Sequence, residues 1–178
     1  MTSIRDFAPG DEEAFHRLNE AWISRFFAME SKDEYMLRNP REAILETGGR
    51  IFLACVENEP VGCCALMAMK AAPEYEVVKM AVSDAHQGAG IGRRLLAHAT
   101  EQAREMGASR LYLETNGTRK TAVRLYESLG FRHLLPEEIV PSPYARAEVF
   151  MELRFKSVAS PETQCARDAI PPESTPCA

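Results

Sequence analysis

The sequence predicts an α/β (α+β) fold in which strands and amphipathic helices interleave along one chain. Three observations carry that reading. Glu76-Val77-Val78-Lys79-Met80-Ala81-Val82 is rich in β-branched and apolar residues and reads as a central strand. Soon after it, Ile91, Leu95, Ala99, Ala103 and Met106 share one helical face, with Arg93, Arg94, Glu101, Arg104 and Glu105 elsewhere. Upstream, Arg50–Glu57 and Val61–Lys70 are strands joined at Asn58-Glu59-Pro60, a link short enough for an antiparallel hairpin. At 178 residues, 46% hydrophobic and 26% charged, the chain suits one globular domain with a substantial core.

Taken in order, Thr2–Ala8 is a short first strand with Ile4 as its core candidate. Pro9-Gly10-Asp11 turns the chain into a helix that Asp11 can cap, with Glu12 and Glu13 suited to its first turn. Phe15, Leu18 and Trp22 recur at helical spacing, and Ile23, Phe26 and Phe27 continue an apolar surface that packs as core or lines a substrate pocket. The polar run Glu30–Glu34 reads as solvated acids. Asn39 caps a helix with Pro40 at its first position, stopping at Gly48-Gly49. After the hairpin and the central strand, Arg110–Thr115 is a further strand. A helix starts at Thr118 or Arg119 and ends at Gly130; Ala122, Leu125, Tyr126 and Leu129 form its single apolar face. Phe131–Leu135 and Ala147–Phe155 are the last strands, separated by the proline-broken segment Pro136–Arg146. Residues 157–178 are poor in aliphatics and read as a disordered tail.

Composition narrows the function. A net charge of −5 argues against a nucleic-acid or anionic-membrane partner. No apolar run approaches a membrane span, and the first nine residues are too polar for a signal peptide. Cys55, Cys63, Cys64, Cys165 and Cys177 include no C-x-x-C pair and suit free thiols in a reducing cytoplasm. His16, His86, His98 and His133 show no metal-ligand spacing, so no metal is expected.

The chemistry concentrates in Gln87-Gly88-Ala89-Gly90-Ile91-Gly92-Arg93-Arg94. Glycine in a helix costs up to about 1 kcal/mol relative to alanine, and cations in a first turn oppose the helix dipole. Both features make sense if a phosphate sits there, with glycines letting the backbone approach and arginines supplying charge. The dinucleotide fingerprint fails, because its third glycine position is Arg93 and five residues separate Val82 from Gly88. The Walker pattern fails as well, since Gly92 is followed by two arginines.

What remains is Gln-x-x-Gly-x-Gly, which resembles the pyrophosphate-binding motif of the GNAT superfamily of acyl-CoA-dependent N-acetyltransferases. Ala122-Val-Arg-Leu-Tyr-Glu-Ser-Leu-Gly-Phe131 resembles that family's A-x-x-L-Y-x-x-x-G-F signature, in the right order one strand later. The resemblance covers 1–156, read as one acetyltransferase domain. It implies a mixed, mostly antiparallel sheet whose two parallel strands, Glu76–Val82 and Arg110–Thr115, splay apart around the pantetheine of acetyl-CoA. It further implies pairing of Met80, Ala81 and Val82 backbone with the pantetheine, and wrapping of the pyrophosphate by Gln87 to Arg93. Tyr126 corresponds to the tyrosine that protonates the departing thiolate. Glu76 stands where some members carry the general base, acting directly or through a water. A backbone N–H near Met80 is the oxyanion donor. Where many members have asparagine before the second motif this chain has Arg119; either Asn116 substitutes or Arg119 reaches the phosphates. The expected partner is a small-molecule or peptide amine, with a homodimer left open. The competing reading is a non-catalytic acyl-CoA-binding sensor of the same fold.

Overall fold

The computed structural model describes residues 1–155 except 72, 140 and 143; the expected tail, 157–178, lies outside the described residues. Seven strands form one sheet in the order β1-β2-β3-β4-β5-β7-β6. They are β1 (Thr2–Asp6), β2 (Arg50–Val56), β3 (Glu59–Ala68), β4 (Glu74–Val82), β5 (Arg110–Thr115), β6 (Arg132–His133) and β7 (Val149–Arg154). Helices α1 (Glu12–Phe26), α2 (Ser31–Arg38), α3 (Ile91–Glu105) and α4 (Lys120–Ser128) flank it. Every neighbouring pair is antiparallel except β4 with β5. This is the mixed, mostly antiparallel architecture that the resemblance implies.

Strand period two sorts the apolar residues onto both faces. Phe52, Ala54, Cys64, Leu66, Val77, Leu111 and Leu113 pack with Leu95, Leu96 and Ala99 of α3. Ile51, Leu53, Cys55, Cys63 and Ala65 pack on the other face with Phe15, Leu18 and Ile23 of α1 and Leu37 of α2. Strands covered on both sides read as continuous apolar runs, which is why β2 and β3 stand out in the sequence.

Several local expectations shift. The hairpin turns at Glu57 and Asn58, whose φ values are +51° and +69°, while Glu59 and Pro60 belong to β3. A two-residue turn with both φ positive matches the twist of its strands, and Pro60 is tolerated beside a bulge. Asp11 does not cap α1 with its side chain. Its carboxylate accepts from the Ala8 N–H at 2.7 Å and from Arg5 at 2.6 and 2.9 Å, tying β1 to the helix start. The polar run becomes the first turn of α2. Asn39 donates to the Tyr35 carbonyl at the end of α2 rather than capping a new helix. Only a single π turn, Arg41–Leu45, follows, because Gly49 N–H already closes onto the Ile44 carbonyl at 2.8 Å. The strand expected at Phe131–Leu135 is two residues long, cut off by the 3₁₀ turn Pro136–Glu138.

Two irregularities shape the middle of the sheet. β4 and β5 pair only at Glu74–Arg110, Tyr75–Leu111 and Glu76–Tyr112. Beyond that β4 keeps β3 and β5 keeps β7, so a gap opens between them. In β4 the register jumps from Ala65–Val78 to Cys63–Ala81, so Lys79 and Met80 together oppose Cys64. That β-bulge bends the strand at the gap, with Lys79 at φ +51°.

Gly49 offers a test of the packing beneath α1. A Cβ added there meets the Leu66 carbonyl oxygen at 2.3 Å and the Ile44 carbonyl oxygen at 2.6 Å, both backbone. Gly49→Ala is expected to cost roughly 2–3 kcal/mol, a fall in melting temperature of about 5–10 °C for a chain of this size. An unchanged melting curve would refute that close approach.

Candidate active site

The gap between β4 and β5 opens into a cleft of about 720 Å³. Along it lie β4 from Glu76 to Val82, the glycine loop, the end of β5 and the start of α4. The loop is braced from within: Gln87 Nε2 donates to Asp84 Oδ1 at 2.7 Å, and Arg25 of α1 pairs with Asp84 at 2.6 Å. Gly88 (φ +80°) and Gly90 (φ +75°) occupy the left-handed region, which a side chain disfavours. Gly92 has a different reason. An added Cβ would sit 3.3 Å from the Met80 methyl and 3.7 Å from Leu125, so its bareness leaves cleft space. Unpaired N–H groups of the first turn of α3 face a region with no acidic residue in that turn. Arg93 lines the cleft and donates to Ser128 Oγ at 2.8 Å. Arg94 does not contribute charge there; it reaches back to the Thr2 carbonyl at 2.6 Å. This lining fits an anion with a bulky polar group.

Glu76 is the last β4 residue paired with β5, and it lines the cleft half-buried. Burial pushes its carboxyl up from 4.5 to about 7, and the charge of Glu114 adds to that, against the opposing pull of Lys32 and Lys79. Glu114 is held by Tyr112, whose hydroxyl donates at 2.9 Å, and by the Ser142 hydroxyl. Tyr126 meets the cleft from the other face of the sheet, packed among the α3-side core with its ring 6.0 Å from that of Phe131. Burial, then the nearby Cys64, drives its phenol pKa upward, so it stays protonated across the neutral range.

A cluster that the sequence reading missed closes one side of the cleft. Asp33 is fully buried and accepts from Lys79 and, in a fork at 2.8 and 2.9 Å, from Arg146. Arg146 also donates to Glu30 at 2.8 Å. Burial alone would raise the Asp33 carboxyl, yet the hydrogen bonds from Arg146 and Lys79 outweigh it and hold it low. Asp33 is therefore not a solvated acid. The available signal was Lys79 itself, since a lysine inside an apolar strand needs a buried partner.

Of the expected site residues, Glu76, Met80, Ala81, Val82, Gln87, Gly88, Gly90, Ile91, Gly92, Arg93, Asn116, Arg119 and Tyr126 all line the cleft; Ala89 does not. Asn116 is engaged on both ends, accepting from Thr118 N–H at 3.0 Å and donating to the Arg146 carbonyl at 2.9 Å. Arg119 stacks on Phe26, 3.6 Å from the ring centroid. Trp22, Phe26 and Phe27 line the cleft, whereas Phe15 and Leu18 are core. Among the described residues no three His, Cys, Asp or Glu side chains gather as metal ligands, and no helix is long and apolar enough to cross a membrane.

Residues 14–131 match the family model of the Acetyltransferase (GNAT) family. An uncharacterized N-acetyltransferase of Escherichia coli (strain K12) is 49% identical over 59 residues, 33% of this chain and 35% of that protein. The match thus spans about a third of that relative's length. Among solved structures, an acetyltransferase of GNAT family from Staphylococcus aureus MU50 superposes with a TM-score of 0.79 at 20% identity, covering 88% of this chain and 100% of that one. A protein from Salmonella typhimurium, solved with its cofactor acetyl-CoA, has a TM-score of 0.68 at 21% identity, covering 92% and 99%. These two likenesses show the fold.

The raised Glu76 pKa has a measurable sign. A carboxyl whose folded value exceeds its unfolded one binds more protons when folded, so stability falls as pH rises from about 4.5 to about 7 and levels off above. Glu76→Gln removes that loss and is expected to stabilise the fold at pH 8, on the order of 2–3 kcal/mol, and far less at pH 4. Denaturant melts of both proteins at the two pH values check this; equal differences would place Glu76 in an ordinary solvated setting.

Proposed function

Because the chain belongs to the GNAT acetyltransferase family, we propose that it is an N-acetyltransferase, moving an acetyl group from acetyl-CoA to a primary amine of a small molecule or peptide by direct attack on the thioester. One observation carries the reading. Glu76, poised near neutrality, and Tyr126, held protonated, line the same cleft from opposite faces of the sheet, at the gap between β4 and β5.

When bound, acetyl-CoA supplies an activated acetyl thioester. Gly88, Gly90, Arg93 and the first turn of α3 hold its pyrophosphate, since they offer bare backbone, a positive helix end and one guanidinium. Past Glu76, β4 has no partner on its β5 side among the described residues, and Met80, Ala81 and Val82 there offer backbone groups to an extended ligand. Glu76 takes the ammonium proton from the acceptor, directly or through a water, so that nitrogen has a lone pair for the new C–N bond. At pH 7 an ordinary carboxylate is a poor base for this, and the raised pKa narrows the mismatch. A backbone N–H of the bulge near Met80 donates to the carbonyl oxygen as charge develops there. Tyr126 gives its proton to sulfur as the C–S bond breaks; the second proton, lost by nitrogen as the amide forms, returns through water to the phenolate, and Glu76 releases the first to solvent.

Two variants test this. Gly92→Glu keeps an ordinary helical backbone but sends a carboxylate into the cleft, and is expected to abolish acetyl-CoA binding by calorimetry with little loss of melting temperature. Parent-like affinity would move the binding site elsewhere. Tyr126→Phe keeps the ring and its packing and removes the proton donor. Acetyl-CoA affinity should survive while turnover falls by roughly 10²-fold, the usual scale for a lost general acid. Turnover is followed as free CoA released with amines, amino acids, aminoglycosides and peptides; equal rates for both proteins would leave protonation to water.

A further inference from the structure

The bulge of β4 is held in a conformation that its own residue disfavours. Lys79 has φ +51°, and among the described residues the other non-glycine positive φ values fall at the hairpin turn, where the geometry demands them. A β-bulge can place a residue in the left-handed region, normally a glycine, so a lysine there is strained and contacts from outside the strand favour it. The holding contacts come from three separate parts of the chain. The Lys79 ammonium, 5% exposed, donates to Asp33 of α2 and to the Tyr144 hydroxyl at 3.4 Å. Asp33 is fixed in turn by the fork from Arg146, and the Arg146 carbonyl is gripped by Asn116 at the end of β5. The backbone side is held as well: the Lys79 carbonyl accepts from the Cys63 thiol at 3.4 Å, and that sulfur accepts from Asn19 of α1 at 3.2 Å.

We infer that Asp33 and Lys79 are positioning residues for acetyl transfer: their buried ion pair clamps the β4 bulge so that its backbone faces the reacting carbonyl. This rests on the proposed acetyltransferase reading, and it adds to it a role for groups outside the proton-transfer and pyrophosphate-binding residues. Electrostatics favour the assignment. The formal charges of Asp33, Glu30, Lys79 and Arg146 balance to zero, which offsets much of their field, while their ion pairs tie separate elements to the bulge. The cluster's members sit on α2, β4 and the segment after β6, which makes the bulge the place where these elements are tied together.

A clamp on an oxyanion donor acts on the transfer step more than on ground-state binding, so the split between kcat and KM tests it. Asp33→Asn keeps the shape and removes the counter-charge; Lys79→Met keeps the bulk and removes the ammonium. Lys79→Gly removes the ammonium too but adopts φ +51° without penalty, so if the ion pair acts by holding the bulge, glycine recovers part of the kcat that Lys79→Met loses. Each is assayed on folded protein, well below its melting temperature, beside acetyl-CoA affinity by calorimetry. For Asp33→Asn and Lys79→Met the expected result is a fall in kcat of about tenfold or more, with acetyl-CoA affinity and KM within about twofold of the parent. Parent-like kcat in folded Lys79→Met, or a Lys79→Gly no faster than Lys79→Met, overturns the clamp and leaves the acetyltransferase reading standing. A matched loss of acetyl-CoA affinity also overturns it, since the cluster would then shape the cofactor site. A parent that binds acetyl-CoA but releases no CoA with any acceptor overturns both.

Discussion

A parallel ladder continues as long as two backbones keep step, and β4 and β5 keep step for only three residue pairs. Past Glu76 and Tyr112 each strand stays bonded to its other neighbour, so the separation costs the sheet little backbone pairing. What it creates is a slot with free strand edge on one side and helix N-terminus at its mouth. The rest of the site follows from this one interruption. A sheet that closed there would leave no cleft along Met80–Val82 between the two strands.

Keeping the slot open requires both faces of the sheet to be well supported. The α3-side and α1-side clusters share the strands between them, and alternate residues of β2 and β3 serve each in turn. The slot therefore connects two chemically different faces. On one, Tyr126 sits among apolar groups and keeps its proton. On the other, Glu76 lies beside Glu114, Tyr112 and a balanced set of buried ions, and its carboxyl is raised toward neutrality. Two titratable groups pushed to opposite roles by their surroundings is the usual arrangement of a proton donor and acceptor.

Buried charge also sets rigidity. A half-paired ion inside the molecule is costly, so each of Asp33, Lys79 and Arg146 constrains the placement of the others. Those constraints meet at the bulge and at Asn116, on the two strands that border the slot. The aromatic end of α1, with Arg119 stacked on Phe26, lines the cleft beside them.

What the sequence determined by itself was whatever depends on near neighbours. The glycine loop is legible because Gly88 and Gly90 satisfy a backbone requirement within their own few residues. The apolar faces of α3 and α4 are legible because helical spacing repeats locally. Boundaries were less secure, as Asp11 and Asn39 show: a capping residue type gives way when a nearer tertiary partner, Arg5 or the end of α2, claims its side chain. Tertiary structure alone decided the pairing of Lys79 with Asp33, 46 residues away, and of Arg146 with Asp33, 113 residues away. It also decided that Glu76 is a half-buried neighbour of Glu114 rather than a solvated edge carboxylate. Nothing within the chain's local pattern encodes which distant segments meet across a sheet. That is set by the folding of the whole core, and the ionisation of a carboxyl is set by what surrounds it there.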